Sequence, residues 1–228
     1  MNPALIRLLQ LSDPALPVGG FSHSAGLETY VQLGIVKDAV TAEAFVRGML
    51  SQNIHFTDAA VVSLAHDAIT TRQYDEIKYL DDLCTAVKLP KEMRQASQKL
   101  GARLIKIFQA VCNNDWLNRY AAAIQTKQLT GHYCIAFGII ACALQIPKAD
   151  ALTGFYYNAA TGFITNSVKL IPLSQQVGQE LLFSLQPLIT QLVQNNEQPD
   201  KEMIGVCCPG FDIRSMQHEQ LYSRLYMS

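Results

Sequence analysis

Apolar residues recur three and four apart along almost the whole chain, and no run of four to eight residues alternates as a strand does between turn signals. The pattern predicts an all-α fold, a single-domain helical bundle with a short C-terminal tail helix. Its clearest stripe runs from Pro90 to Cys112. There Met93, Ala96, Leu100, Leu104, Ile107, Phe108 and Val111 share one face, while Lys91, Glu92, Gln95, Lys99, Arg103 and Lys106 mostly face away; Pro90 suits a first helical turn. Tyr74, Ile77, Leu80, Leu83, Cys84 and Val87 give a similar stripe just before it. Further helices are expected near residues 3–11, 24–33 (stopped by Gly34), 41–53 with Thr41 as N-cap, and 58–70.

The middle of the chain reads differently. Residues 129–147 and 151–168 contain no Asp, Glu, Lys or Arg, and a helix apolar all round belongs inside a bundle. Helices over 132–145 and 149–170 are therefore expected at the centre, with Gly154, Ala159, Ala160 and Gly162 allowing close approach by a neighbour. Ser174 can cap a helix running to about Val193, kinked at Pro187, which removes an internal hydrogen bond. Residues 195–210 are loop-like in composition. Beyond them Ile213, Met216, Leu221, Tyr222, Leu225 and Tyr226 interleave with Asp212, Arg214, His218, Glu219 and Arg224. The simplest partition is a helical domain over 1–194, then a linker and partner-binding tail over 195–228.

Composition narrows the function classes. Hydrophobic residues make up 49% of the 228 positions and charged residues 16%, below the roughly 25% charged of an ordinary domain. Some of that apolar excess is expected to end in interfaces. The net charge is −1 with scattered Lys and Arg, so the basic footprint of a nucleic-acid binder is missing. The longest apolar stretch, Tyr133 to Leu144, is too short for the about 20 residues that span a bilayer. No secretory signal is visible at the N-terminus, which points to a cytoplasmic protein with no membrane partner. The six cysteines, Cys84, Cys112, Cys134, Cys142, Cys207 and Cys208, then read as thiols.

Two constellations invite chemistry. Ser22-His23-Ser24-Ala25-Gly26 comes close to a hydrolase nucleophile elbow, with His23 and Ser24 as its reactive pair, but that motif needs a strand-to-helix turn. The preceding Pro14, Pro17, Gly19 and Gly20 do not fit a central strand. The alternative is a shaped loop whose Ser22 or Ser24 caps the next helix, leaving Phe21 and His23 as binding determinants. Cys207 and Cys208, with His218 ten residues on, offer soft ligands for a metal carrier, yet adjacent cysteines lack the usual zinc spacing, and idle thiols are the simpler reading. His55, His66 and His132 sit singly on helical patterns, as histidines satisfied by neighbours. No phosphate-binding or dinucleotide-binding glycine motif occurs. No catalytic residue, metal site or cofactor is expected. The tail, rich in Tyr and Leu with an Arg near its end, has the makeup of an interface anchor; the alternative is packing on its own domain.

Four segments together resemble the urease accessory F family: residues 11–28 (LSDPALPVGGFSHSAGLE), 94–101 (RQASQKLG), 165–175 (TNSVKLIPLSQ) and the tail 212–228 (DIRSMQHEQLYSRLYMS). The resemblance implies an all-helical homodimer that binds the D-type (also called H-type) urease accessory protein. With it, the complex recruits the G-type GTPase and the urease apoprotein for GTP-driven nickel insertion. It points to Phe21, Arg224 and Lys169 as determinants of the GTPase-binding surface. His23, Glu28, Met216, His218, Leu221, Tyr222, Leu225 and Tyr226 complete the expected partner-binding set. Phe21 stands where the family often has a tyrosine, and the Cys207-Cys208 pair is no recognised family feature.

Overall fold

A computed structural model describes residues 2–227, the side chain of Phe21 excepted. Among these residues the fold is all-α. α1 (Pro3–Leu11) starts on Asn2, whose side chain accepts from the Ala4 amide. A loop with a single 3-10 turn, Gly20–Ser22, leads to the short α2 (Leu27–Gln32). α3 (Ala39–Gly48) passes without a break through a π-helical stretch, Met49–Ala59, into α4 (Ala60–Thr70).

The expected gap between residues 53 and 58 is thus absent, because neither Gly nor Pro lies between 49 and 70 to stop the helix. Thr41 is not the N-cap either. Asp38 caps, accepting from the Thr41 amide at 2.9 Å, and the Thr41 hydroxyl in turn accepts from the Asp38 amide at 3.1 Å. This is a capping box, with Thr41 in the reciprocating position usually held by Glu.

α5 (Tyr74–Val87) and α6 (Lys91–Gln109) follow the two amphipathic stripes. α7 (Asp115–Gln125), capped by Asn114, has no counterpart among the expected helices; its stripe of Leu117, Tyr120 and Ala121 spans only three turns. α8 (Tyr133–Ala143) and α9 (Lys148–Leu170) carry the uncharged segments, with Lys148, Asp150 and Lys169 confined to the ends of α9. Every residue from Cys134 to Ala141 is buried, with α4, α6, α7 and α9 packed around α8. At Gly154 a side chain would strike Ser12 and Leu8 of the N-terminal region, so close approach holds there; at Gly162 nothing lies within 4 Å.

α10 (Gln175–Ser184) begins on Ser174, which accepts from the Val177 amide. Rather than kinking one long helix, the chain breaks at Leu185. α11 (Gln186–Asn196) then takes Pro187 in its first turn, where a missing N–H costs nothing. A linker carrying the 3-10 turn Lys201–Met203 runs back along α5, tied by Lys201 Nζ to Glu76 at 3.1 Å and by the Gly205 amide to the Phe56 carbonyl. α12 (Pro209–His218) ends the helical part. It starts inside the segment expected to be loop, and Leu221 to Met227 are not helical.

The isolated histidines are satisfied by neighbours. His55 Nδ1 lies 2.9 Å from the Tyr156 hydroxyl, His66 Nε2 3.0 Å from the Ile146 carbonyl, and His132 between Thr85 and Ser97. The cysteines are free thiols, with Cys84 and Cys134 facing each other at 3.6 Å. No helix among the described residues is long and apolar enough to cross a membrane.

Candidate partner-docking site

α12 lies across α2 and α6 and buries Phe211, Ser215 and His218. It sits this close because Gly26, at the entry to α2, has no side chain. A Cβ there would come within 2.7 Å of the Ser215 hydroxyl, and its φ of 77° suits glycine. Glu28, in the first turn of α2, is buried, and its amide reaches the Ser24 hydroxyl at 3.4 Å.

The Glu28 carboxylate is the anchor of the tail. Its Oε1 accepts from the Leu225 amide at 2.8 Å; its Oε2 accepts from the Tyr226 amide at 3.2 Å and faces His218 Nε2 at the same distance. On the other side of the ring, His218 Nδ1 lies 2.7 Å from Oε2 of Glu92, in the first turn of α6. Oε1 of that carboxylate pairs with Arg224 Nη1 at 2.7 Å. A neutral imidazole offers one N–H, so both contacts are hydrogen bonds only while the site holds a further proton. Two more bonds fix the tail: the Met227 amide to the Ser22 carbonyl at 2.8 Å, and Gln32 Nε2 to the Ser223 carbonyl at 3.1 Å.

The tail thereby separates two kinds of side chain. Tyr226 is buried, and burial followed by the Glu28 charge raises its hydroxyl above the usual tyrosine pKa. Tyr222 is fully exposed and Leu225 79% exposed, with Ile213, Met216 and Met227 also open to solvent. Leu221 is half-buried. Large apolar side chains in water on a hydrogen-bonded backbone form a preorganised apolar surface.

The first loop is pinned beside this site. Arg103 Nη1 donates to the Val18 carbonyl at 3.1 Å, Asn158 to Ser12 and Asn166 to His23. His23 is held below the ordinary histidine pKa by burial first, then by Lys99 and Arg103. Lys169, exposed in the last turn of α9, shares with His23 the wall of a cavity of about 240 Å³. The Phe21 backbone lies in the 3-10 turn, and its side chain falls outside the described residues.

The alternative chemistries find little geometry. Both His218 nitrogens face carboxylates, away from any role with the cysteines, and no group of three metal-capable side chains occurs among the described residues. Cys207 bonds to Asp212, which raises the thiol pKa, and burial raises that of Cys208; both shifts disfavour the thiolate that binds metals. Ser24 is buried at the entry to α2, and among the described residues no strand precedes it to make an elbow.

The UreF family model matches residues 36–186. A urease accessory protein UreF of Actinobacillus pleuropneumoniae serotype 5b is 47% identical over 97% of both chains. One of Haemophilus influenzae strain PittEE is 48% identical over 97% of this chain and 94% of its own, and one of Kocuria rhizophila 32% identical over 98% and 97%. This chain belongs to the UreF family. The matched family region covers the bundle from the turn before α3 to the start of α11. The candidate site is built largely from what flanks it, the first loop with α2 and the tail, and the Haemophilus and Actinobacillus relatives align over 97% of this chain.

Sequence reasoning had singled out Glu28, His218, Arg224, Leu225 and Tyr226, which the fold brings into one cluster. It missed Glu92 as a member, grouping it with the polar residues facing away from the core. A carboxylate in the first turn of a helix is ordinary dipole complementation, so only the α6–tail contact distinguishes it.

Proposed function

We propose that this UreF-family chain is a non-enzymatic adaptor in urease maturation, and that its C-terminal tail docks on the D/H-type urease accessory protein. The joint complex recruits the G-type GTPase and the urease apoprotein for GTP-dependent nickel insertion. The adaptor works as a cytoplasmic homodimer without a cofactor of its own. Residues 195–228 form its linker and docking arm; Tyr222, Leu225, Leu221 and Met216 form the contact surface, with Phe21, His23 and Lys169 beside the GTPase-recruiting face.

The supporting observation is the exposure of Tyr222 and Leu225 on a backbone already fixed by Glu28 and Gln32. Ordering entropy is spent before a partner arrives, which favours tight docking. Arg224→Ala removes the Glu92 pair and is expected to weaken recruitment of the GTPase by about 2 kcal/mol, the scale of a binding hot spot. A pull-down with the D/H-type protein present checks this, with circular dichroism to show an intact fold. Full recruitment by the variant would remove Arg224 from the docking machinery.

A further inference from the structure

His218 has no exposed surface and is clasped between carboxylates from two different helices, at 3.2 Å from Glu28 and 2.7 Å from Glu92. The same two carboxylates hold the tail, Glu28 through the amides of Leu225 and Tyr226 and Glu92 through Arg224. We propose that Glu28, His218 and Glu92 are a proton-gated latch: positioning residues that hold the tail in its docking conformation while the imidazole carries both ring protons, and loosen it when one leaves. The proposal rests on the reading of the tail as a docking arm.

The physical argument is a count of donors. A carboxylate only accepts, and an imidazole with one proton turns a lone pair toward one of its two carboxylates. A buried acceptor facing a buried charge is worse than a broken bond, since neither group can turn to water. The ring is faced by Glu28 from α2 and by Glu92 from α6, and Arg224 of the tail pairs with the second oxygen of Glu92. Tyr226, also from the tail, has its pKa raised and stays neutral over the range concerned. Lys99 and Arg103 of α6 act with Glu92 in the field around His23. Arg224 is bound to Glu92, so among the described residues a deprotonated ring leaves the Glu28 charge with the two tail amides for partners. Among the described residues the tail is otherwise tied by the Met227 amide to the Ser22 carbonyl and by Gln32 to the Ser223 carbonyl, and loosening the latch frees Tyr222 and Leu225 from their fixed placement.

The test is hydrogen exchange of the Leu225, Tyr226 and Met227 amides in the full chain from about pH 6 to about pH 9, corrected for the intrinsic pH dependence of exchange. Affinity for the D/H-type protein is measured on the same samples. Protection is expected to fall about tenfold across that range, the scale of one charge-assisted hydrogen bond. Glu92→Gln supplies an amide that can donate to the bare ring nitrogen, so it should flatten the fall; His218→Gln should give low protection at every pH. Constant wild-type protection, or a fall in Glu92→Gln as steep as in wild type, overturns the latch. The wild-type profile decides even if His218→Gln fails to fold. A tenfold fall, flattened in Glu92→Gln, without partner binding at any pH upholds the latch and sinks the docking role of Tyr222 and Leu225.

Discussion

Tyr222 and Tyr226 stand four positions apart and do opposite things. The first projects wholly into solvent; the second closes over Glu28. Because Tyr222 and Leu225 bury little within the chain, Tyr222→Ala and Leu225→Ala should leave the melting temperature within the small range of ordinary surface changes. Each should weaken binding of the D/H-type protein by about 2 kcal/mol, as calorimetry of the mixed proteins would register. His132 sets a different expectation. Burial first, and Lys88 next, push its imidazole pKa from the ordinary histidine value down to about 4. The folded protein therefore refuses a proton that the unfolded chain accepts below about pH 6.5. Stability from this group is present above that pH and is lost as pH falls toward about 4, by on the order of 3 kcal/mol. Urea unfolding at about pH 7.5 and about pH 4.5 should show that loss, and His132→Gln should lack the one-proton part of it.

Among the helices, α7 depends most visibly on its cap, for Asn114 accepts from the amides of both Trp116 and Leu117. Asn114→Ala should cost about 1 kcal/mol in chemical denaturation, within the span measured for such caps; no change would mean that Tyr120 and Leu117 hold α7 without it. The helices with long stripes or no charges were legible from sequence: α5, α6, α8 and α9 lie close to where periodicity places them. Their ends and joints were less so. A helix running from Ala39 to Thr70 through a π-helical stretch cannot be told from two helices when Ser51, Gln52, Asn53 and Asp58 interrupt the apolar stripe. Pro187 is compatible with a kink and with a new first turn, and only packing chooses between them. The tail was legible in composition and not in conformation, because Leu221 to Met227 take their shape from the Glu28 carboxylate, 193 or more positions earlier in the chain.

At the scale of the whole molecule, segments that looked separate in sequence converge. The first loop is held by Arg103 of α6 and Asn166 of α9, and it accepts the end of the tail at Ser22. The uncharged centre, α8 wrapped by its neighbours, leaves charge to its surroundings, and two of those charges, Glu28 and Glu92, hold the tail. The chain belongs to the UreF family, and the adaptor reading we propose has this scaffold present its tail to another protein. The most direct test of the account is the mass of its assemblies by light scattering after size-exclusion chromatography. The full chain and the Tyr222→Ala/Leu225→Ala variant are each run alone and with the D/H-type urease accessory protein. The account predicts that both run alone as dimers and that only the full unaltered chain shifts to the larger complex. A variant that forms the complex as readily as the unaltered chain, or an unaltered chain that forms none, would contradict it.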